Sequence, residues 1–150
     1  MIEIEESDYD SLSGFPLKWR WTDSQWNLLP DEALQQIHPL SKSKTIEIYQ
    51  YSSKFRRQIG PDETAKFKDS AGDITGVLHW LQDCSLGWSG QVVVSWDNFC
   101  AVYVSWEIFC QYWDDFCYPS SDDAVIWPLT EEWFLIFDHE EKFFFHSNTI

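Results

Sequence analysis

Residues 133–145 read WFLIFDHEEKFFF: two oily runs around a tip of Asp138, His139, Glu140 and Glu141, with no basic residue until Lys142. Aromatic-rich runs closed by a short polar tip predict a β-hairpin whose turn falls at 138–141. AVIWP at 124–128 is a third run of the same kind. None of the three alternates apolar with polar residues. The sheet they build is therefore expected either to be covered on both faces or to carry an exposed aromatic patch.

Upstream, QVVVSW at 91–96 predicts a strand, Asp97-Asn98 a turn, and Phe99–Val104 a second strand or the run into the next helix. In SWEIFCQYWDDFC, residues 105–117, Ser105 can cap a helix that places Trp106, Phe109, Cys110, Trp113, Phe116 and Cys117 on one side. Glu107, Gln111, Asp114 and Asp115 fall opposite. Ile74, Val77, Leu78 and Leu81 recur at helical spacing, despite the propensity cost of Gly76. Thr45, Ile48 and Tyr49 mark a helix at 42–54, with Ser41 or Ser43 as its cap. Pro30, Asp31 and Glu32 open a short helix at 31–37, where the macrodipole favours anions. PLKWRW at 16–21 alternates like a half-buried strand, and 58–72 reads as a loop with one helical turn. The expected architecture is α+β in a single domain: an antiparallel sheet of about four or five strands with helices packed against it, ending in the hairpin.

Charge narrows the function. Lys and Arg number 10 against 25 Asp and Glu, a net of −15. Direct nucleic-acid binding needs a positive surface and is excluded on this ground, as is attraction to anionic membranes. Residues 1–10 hold five acids and no base, and read as a mobile or docking arm. Residues 97–150 hold eleven acids and only Lys142. The opening MIEIEESDYD lacks the basic n-region of a signal peptide, and no run approaches the roughly 18 apolar residues of a spanning helix, so a soluble, cytoplasmic protein is expected.

Chemistry-bearing motifs are wanting: there is no G-x-S-x-G, Walker loop, H-E-x-x-H or dinucleotide fingerprint. Cys84, Cys100, Cys110 and Cys117 form no C-x-x-C pair, and buried free thiols are expected. Zinc held by these sulfurs with His79, His139 or His146 lacks compact ligand spacing. A Cys100 or Cys110 nucleophile with His79 or His139 as base lacks any sign of proximity, and apolar neighbours quiet a thiol. Paired carboxylates beside tryptophans are compatible with a sugar-cleaving site, but here the acids sit in turns where water solvates them. No catalytic residue, cofactor or metal is assigned. The tryptophans are expected mostly in the core.

What remains is recognition. If the helix end and the turns meet at one sheet edge, Asp114, Asp115, Asp122, Asp123, Glu131, Glu132, Asp138, Glu140 and Glu141 form one negative surface, with His139 in the tip. Such a surface attracts a strongly basic partner quickly. Its bland counterpart is a rim that keeps an aromatic-rich protein in solution. Tyr112 and Tyr118 are the candidate aromatic anchors. Lys54, Arg56 and Arg57 form a basic patch that serves either a second contact or a solvated helix end.

In size, acidity, aromatic content and the C-terminal AVIWPLTEEWFLIFDHEEKFFF, the chain resembles small bacterial immunity proteins, the class encoded beside toxins of contact-dependent growth inhibition and related polymorphic toxin systems. Residues 16–57 and 91–146 also resemble an uncharacterised bacterial domain family with the order KW strand, helix pair, strand, Trp-rich helix and final hairpin. The resemblance implies a non-enzymatic protein that docks on a cognate toxin, for this acidity a basic nuclease, and blocks its active site or an essential surface. The alternative is a small-molecule-binding or hydrolytic domain.

Overall fold

The computed structural model describes residues 1–58 and 65–147. Their centre is one seven-stranded antiparallel sheet: β1 (Ile37–Pro39), β2 (Lys66–Asp69), β3 (Gln91–Ser95), β4 (Ala101–Ser105), β5 (Ala124–Pro128), β6 (Trp133–Asp138) and β7 (Lys142–Ser147), in the order β1-β4-β3-β5-β6-β7-β2. The α+β architecture and the C-terminal hairpin are as expected, with Asp138 opposite Lys142 across the turn.

The sheet is wider than expected because both edge strands lack an apolar signature. β1 carries Pro39, which has no N–H to give a ladder and is tolerated at an edge. It lies where the short helix was expected to finish: α2 covers only Asp31–Leu34. β2 reads KFKD and pairs with β7 along its length, although it is mostly exposed. The expected loop at 58–72 thus contains a strand, and its residues 59–64 lie outside the described residues.

Helices cover both faces. The fifteen-residue α3 (Lys42–Arg56), capped by the Ser41 hydroxyl on the Lys44 N–H, lays Ile48 and Phe55 against Val93, Val125, Trp127, Phe134 and Ile136. On the other face α4 (Ile74–Cys84) and α5 (Trp106–Gln111) bury Val77, Leu81 and Phe109 against Val92, Val94, Ile126, Leu135 and Phe143. Odd and even strand positions thus feed two separate cores, which is why the strands read as unbroken apolar runs. Gly76 also finds its reason in α4: the Asp73 side chain caps the helix by accepting the Gly76 N–H, and a Cβ there would collide with that carboxylate.

Two local expectations are corrected. PLKWRW is not a strand: α1 (Trp19–Thr22) is a helical turn. Helical twist lets consecutive Arg20 and Trp21 both point inward, which an alternating strand forbids. The helix expected over 105–117 breaks at Tyr112, whose φ of −119° and ψ of 28° leave the helical region, and resumes as α6 (Trp113–Phe116). The break turns Asp115 from the solvent face into the interior, so that it is buried. The acidic arm lies against the fold: Ile2 is buried in the α3 core, Lys44 donates to the Glu3 carbonyl, and Tyr9 bridges Leu40.

Candidate functional site

The register fixes which turns share an end. β5 starts where β6 finishes, so the 117–123 loop and the 138–141 tip lie at one end of the sheet, while the 129–132 turn lies at the other. The nine acids therefore do not form one surface. Asp114, Asp115, Asp122, Asp123, Asp138, Glu140 and Glu141 belong to the hairpin end, and Glu131 and Glu132 to the opposite end.

At the hairpin end the acids divide again by burial. Asp122 is buried and paired with Arg20, whose Nη1 lies 2.7 Å from Oδ2 and Nη2 3.0 Å from Oδ1. The Asp122 carboxylate also accepts the Tyr118 N–H at 2.8 Å. This fork closes the 118–122 loop onto α1. Asp115 accepts from the Asn27 amide at 2.7 Å, and its backbone carbonyl takes the Trp21 indole N–H. Burial pushes the Asp115 carboxyl up to about 6 and raises that of Asp114 too. Neither Asp115 nor Asp122 is a free anion on the surface.

The displayed charge is Asp123, Glu140, the half-exposed Asp138 and Glu141, and His139 between them. His139 Nδ1 lies 2.9 Å from Asp123 Oδ1 and 3.8 Å from Asp138 Oδ1. The hydrogen bond to Asp123 holds the His139 pKa above its ordinary value. The Ser120 N–H donates to the His139 carbonyl, tying loop to tip. Asp138 closes its own turn by accepting the Glu140 N–H at 2.7 Å. Asp123, Asp138 and His139 have ligand atoms within 4.8 Å of one another and could hold a cation, although the imidazole already hydrogen-bonds to Asp123.

Beside these acids stands a ring cluster only partly anticipated. Tyr118 meets Trp19 edge-on at 5.6 Å, Trp19 meets Trp26 at 5.0 Å, and the Arg20 guanidinium stacks 3.9 Å above the Tyr118 ring. Trp26 is 60% exposed, and its neighbour Leu28 59%. Tyr112, by contrast, is half-buried against the core at the helix break. The sequence did hold one signal for Trp19: WRW at 19–21 sets a cation between two indoles, a pattern suited to ring stacking as much as to a strand, whereas nothing around Trp26 marked it.

At the opposite end the acids are engaged. Glu131 holds the Tyr51 hydroxyl and Lys54, and Glu132 accepts from the Trp88 indole at 2.9 Å and the Thr130 hydroxyl at 2.7 Å. The basic patch is likewise committed: Arg56 donates to the Asp123 and Ser95 carbonyls, and Arg57 to the Ser53 carbonyl.

The four cysteines are free. Burial pushes Cys84 up to about 11 and Cys100 up to about 12, and raises Cys110 and Cys117 well above the ordinary thiol range. These thiols stay protonated and are poor nucleophiles. His38 stacks on Tyr9 and the buried His146 on Phe134, so both imidazoles are packing groups. No helix among the described residues is long and apolar enough to cross a membrane. No protein-family model, curated protein or solved structure matches the chain.

Proposed function

We propose that the protein is an immunity-type inhibitor, which docks its hairpin end on a basic cognate toxin, a nuclease, in the cytoplasm and occludes the toxin's active site or an essential surface. The observation that carries this reading is the pairing, at one end of the sheet, of displayed carboxylates with a ring cluster in which Trp26 is exposed and Trp19 and Tyr118 are half-buried. Asp123, Asp138, Glu140 and Glu141 supply long-range attraction; Trp19, Trp26 and Tyr118 supply apolar contact area. Charge of this kind accelerates encounter with a basic surface, and aromatic anchors hold what has been captured. The buried Arg20–Asp122 fork holds the 118–122 loop and the Tyr118 ring before the partner arrives, which lowers the ordering cost of binding there.

The test is co-expression with the product of the adjacent upstream gene. Growth rescue together with a complex that co-purifies is expected. A neighbour that is not toxic, or a toxin neither bound nor rescued, would contradict the reading.

A further inference from the structure

The end of the sheet away from the hairpin carries a cleft of about 670 Å³ between the end of α4, the 85–90 loop and α5. Its volume falls in the range of small-molecule sites, roughly 300–1,000 Å³. Leu78, Leu86, Trp88 and Trp106 supply the apolar wall. Glutamine and serine side chains punctuate it, and Glu107 is the one charged residue among those lining it.

The walls are held in place. The Trp106 indole N–H donates to the Ser85 hydroxyl at 2.8 Å, and that hydroxyl lies 2.8 Å from the Leu81 carbonyl, fixing floor to α4. Trp88 is anchored by Glu132 and rests edge-on against Trp133 at 5.2 Å. Gly90, at φ +144°, lets the indole fold back over the chain: a Cβ there would come within 3.2 Å of the Trp88 ring. A cleft braced by three tryptophans and a left-handed glycine does not need a ligand to shape it. Leu86, 86% exposed at its lip, remains without cover.

Charge selects among occupants. The only ionised lining group is a carboxylate, among the described residues it has no ion-pair partner, and the protein carries a net charge of −15. Phosphates and carboxylates are repelled, while a cation is drawn to the mouth. We infer that this cleft is a binding site for a small organic cation with an apolar ring, the ring lying against Trp88 and Leu86 and the ammonium meeting Glu107. The site is independent of the hairpin end, so its failure would leave the inhibitor reading untouched.

Two probes share one ring and differ in charge: tryptamine and indole-3-propionate. Each is titrated into the labelled protein while the indole N–H resonances are followed by NMR. Tryptamine is expected to shift Trp88 and Trp106 saturably and to leave Trp26 still. It should bind roughly fivefold more tightly than the anion, as an exposed single charge allows. Glu107→Lys, on an exposed position in the first turn of α5, should abolish or reverse that preference at a cost to stability no larger than that of the lost helix-dipole interaction. Equal affinities for the two probes, a preference surviving Glu107→Lys, or unsaturable shifts that include Trp26 would each overturn the assignment.

Discussion

The two ends of the sheet use the same residue types in opposite ways. At the hairpin end Asp123 and Glu140 face solvent, while a buried cation, Arg20, braces the loop beneath them. At the cleft end Glu131 and Glu132 are spent on Lys54, Tyr51, Thr130 and Trp88, and the lip of the cleft exposes Leu86 beside the single carboxylate of Glu107. An acidic residue in a turn is thus a free charge or a structural acceptor according to what the fold brings to it. Counting acids along the chain predicts the field of the whole molecule, but not the surface that displays it.

Breaking the brace at the hairpin end should have the largest effect. Arg20→Met leaves Asp122 buried without its cation and is expected to cost about 3–5 kcal/mol in urea unfolding. Arg20→Met with Asp122→Leu should recover part of that, leaving about 1–3 kcal/mol for the orphaned Tyr118 N–H. A single-variant cost below about 1 kcal/mol would mean that the fork does not hold this end together.

The corresponding brace at the cleft end is backbone and indole, and it should be weaker. Gly90→Ala forces a side chain into a φ of +144° and against Trp88, at about 1–3 kcal/mol. Its fluorescence should report a shifted Trp88. An unperturbed variant would show that the 85–90 loop tolerates another path.

Asp115 sharpens the comparison through pH. Its folded carboxyl holds a proton up to about 6, against an ordinary 3.8. Folding is therefore favoured by this group at low pH, and the advantage is lost as pH rises from about 4 to 6. Asp115→Asn keeps a hydrogen-bonding oxygen for Asn27 and removes the buried charge. It should stabilise the protein at pH 7 by roughly 1 kcal/mol, with solvent screening taken into account, and flatten Tm against pH in that window. An unchanged pH profile would place the penalty elsewhere.

The smallest effect on stability belongs to the displayed charges. Glu140→Lys with Glu141→Lys should change unfolding free energy by no more than about 0.5 kcal/mol per site, because these residues cover solvent, not core. Asp138 is left in place, since its carboxylate closes the turn.

Where a signal was local, the sequence held it. Ser41 and the spacing of Thr45 and Ile48 placed α3, which runs two residues beyond the expected 54. Ile74 opens α4 as its periodicity required, and the oily runs around Asp138–Glu141 became β6 and β7. What escaped depends on distant partners. Arg20 and Asp122 are 102 residues apart, so nothing near either revealed that one acid of the Asp122-Asp123 pair is buried and the other displayed. β2 has no apolar pattern because as an edge it buries little, and Pro39 gave no strand signal because Pro suits a helix exit as well as a sheet edge. Trp26 and Trp21 look alike in sequence. One is 60% exposed; the other is fully buried, with its indole N–H on the carbonyl of the distant Asp115.

The most direct test of the hairpin end as the proposed docking face is stopped-flow association with the proposed partner toxin at low and at high salt. Three proteins would be compared: the native chain, Glu140→Lys with Glu141→Lys, and Glu107→Lys at the cleft. The account predicts that the hairpin variant associates about tenfold more slowly at low salt, that the gap closes as salt rises, and that the cleft variant stays close to the native rate. Association slowed by Glu107→Lys and untouched by the hairpin charges would contradict it.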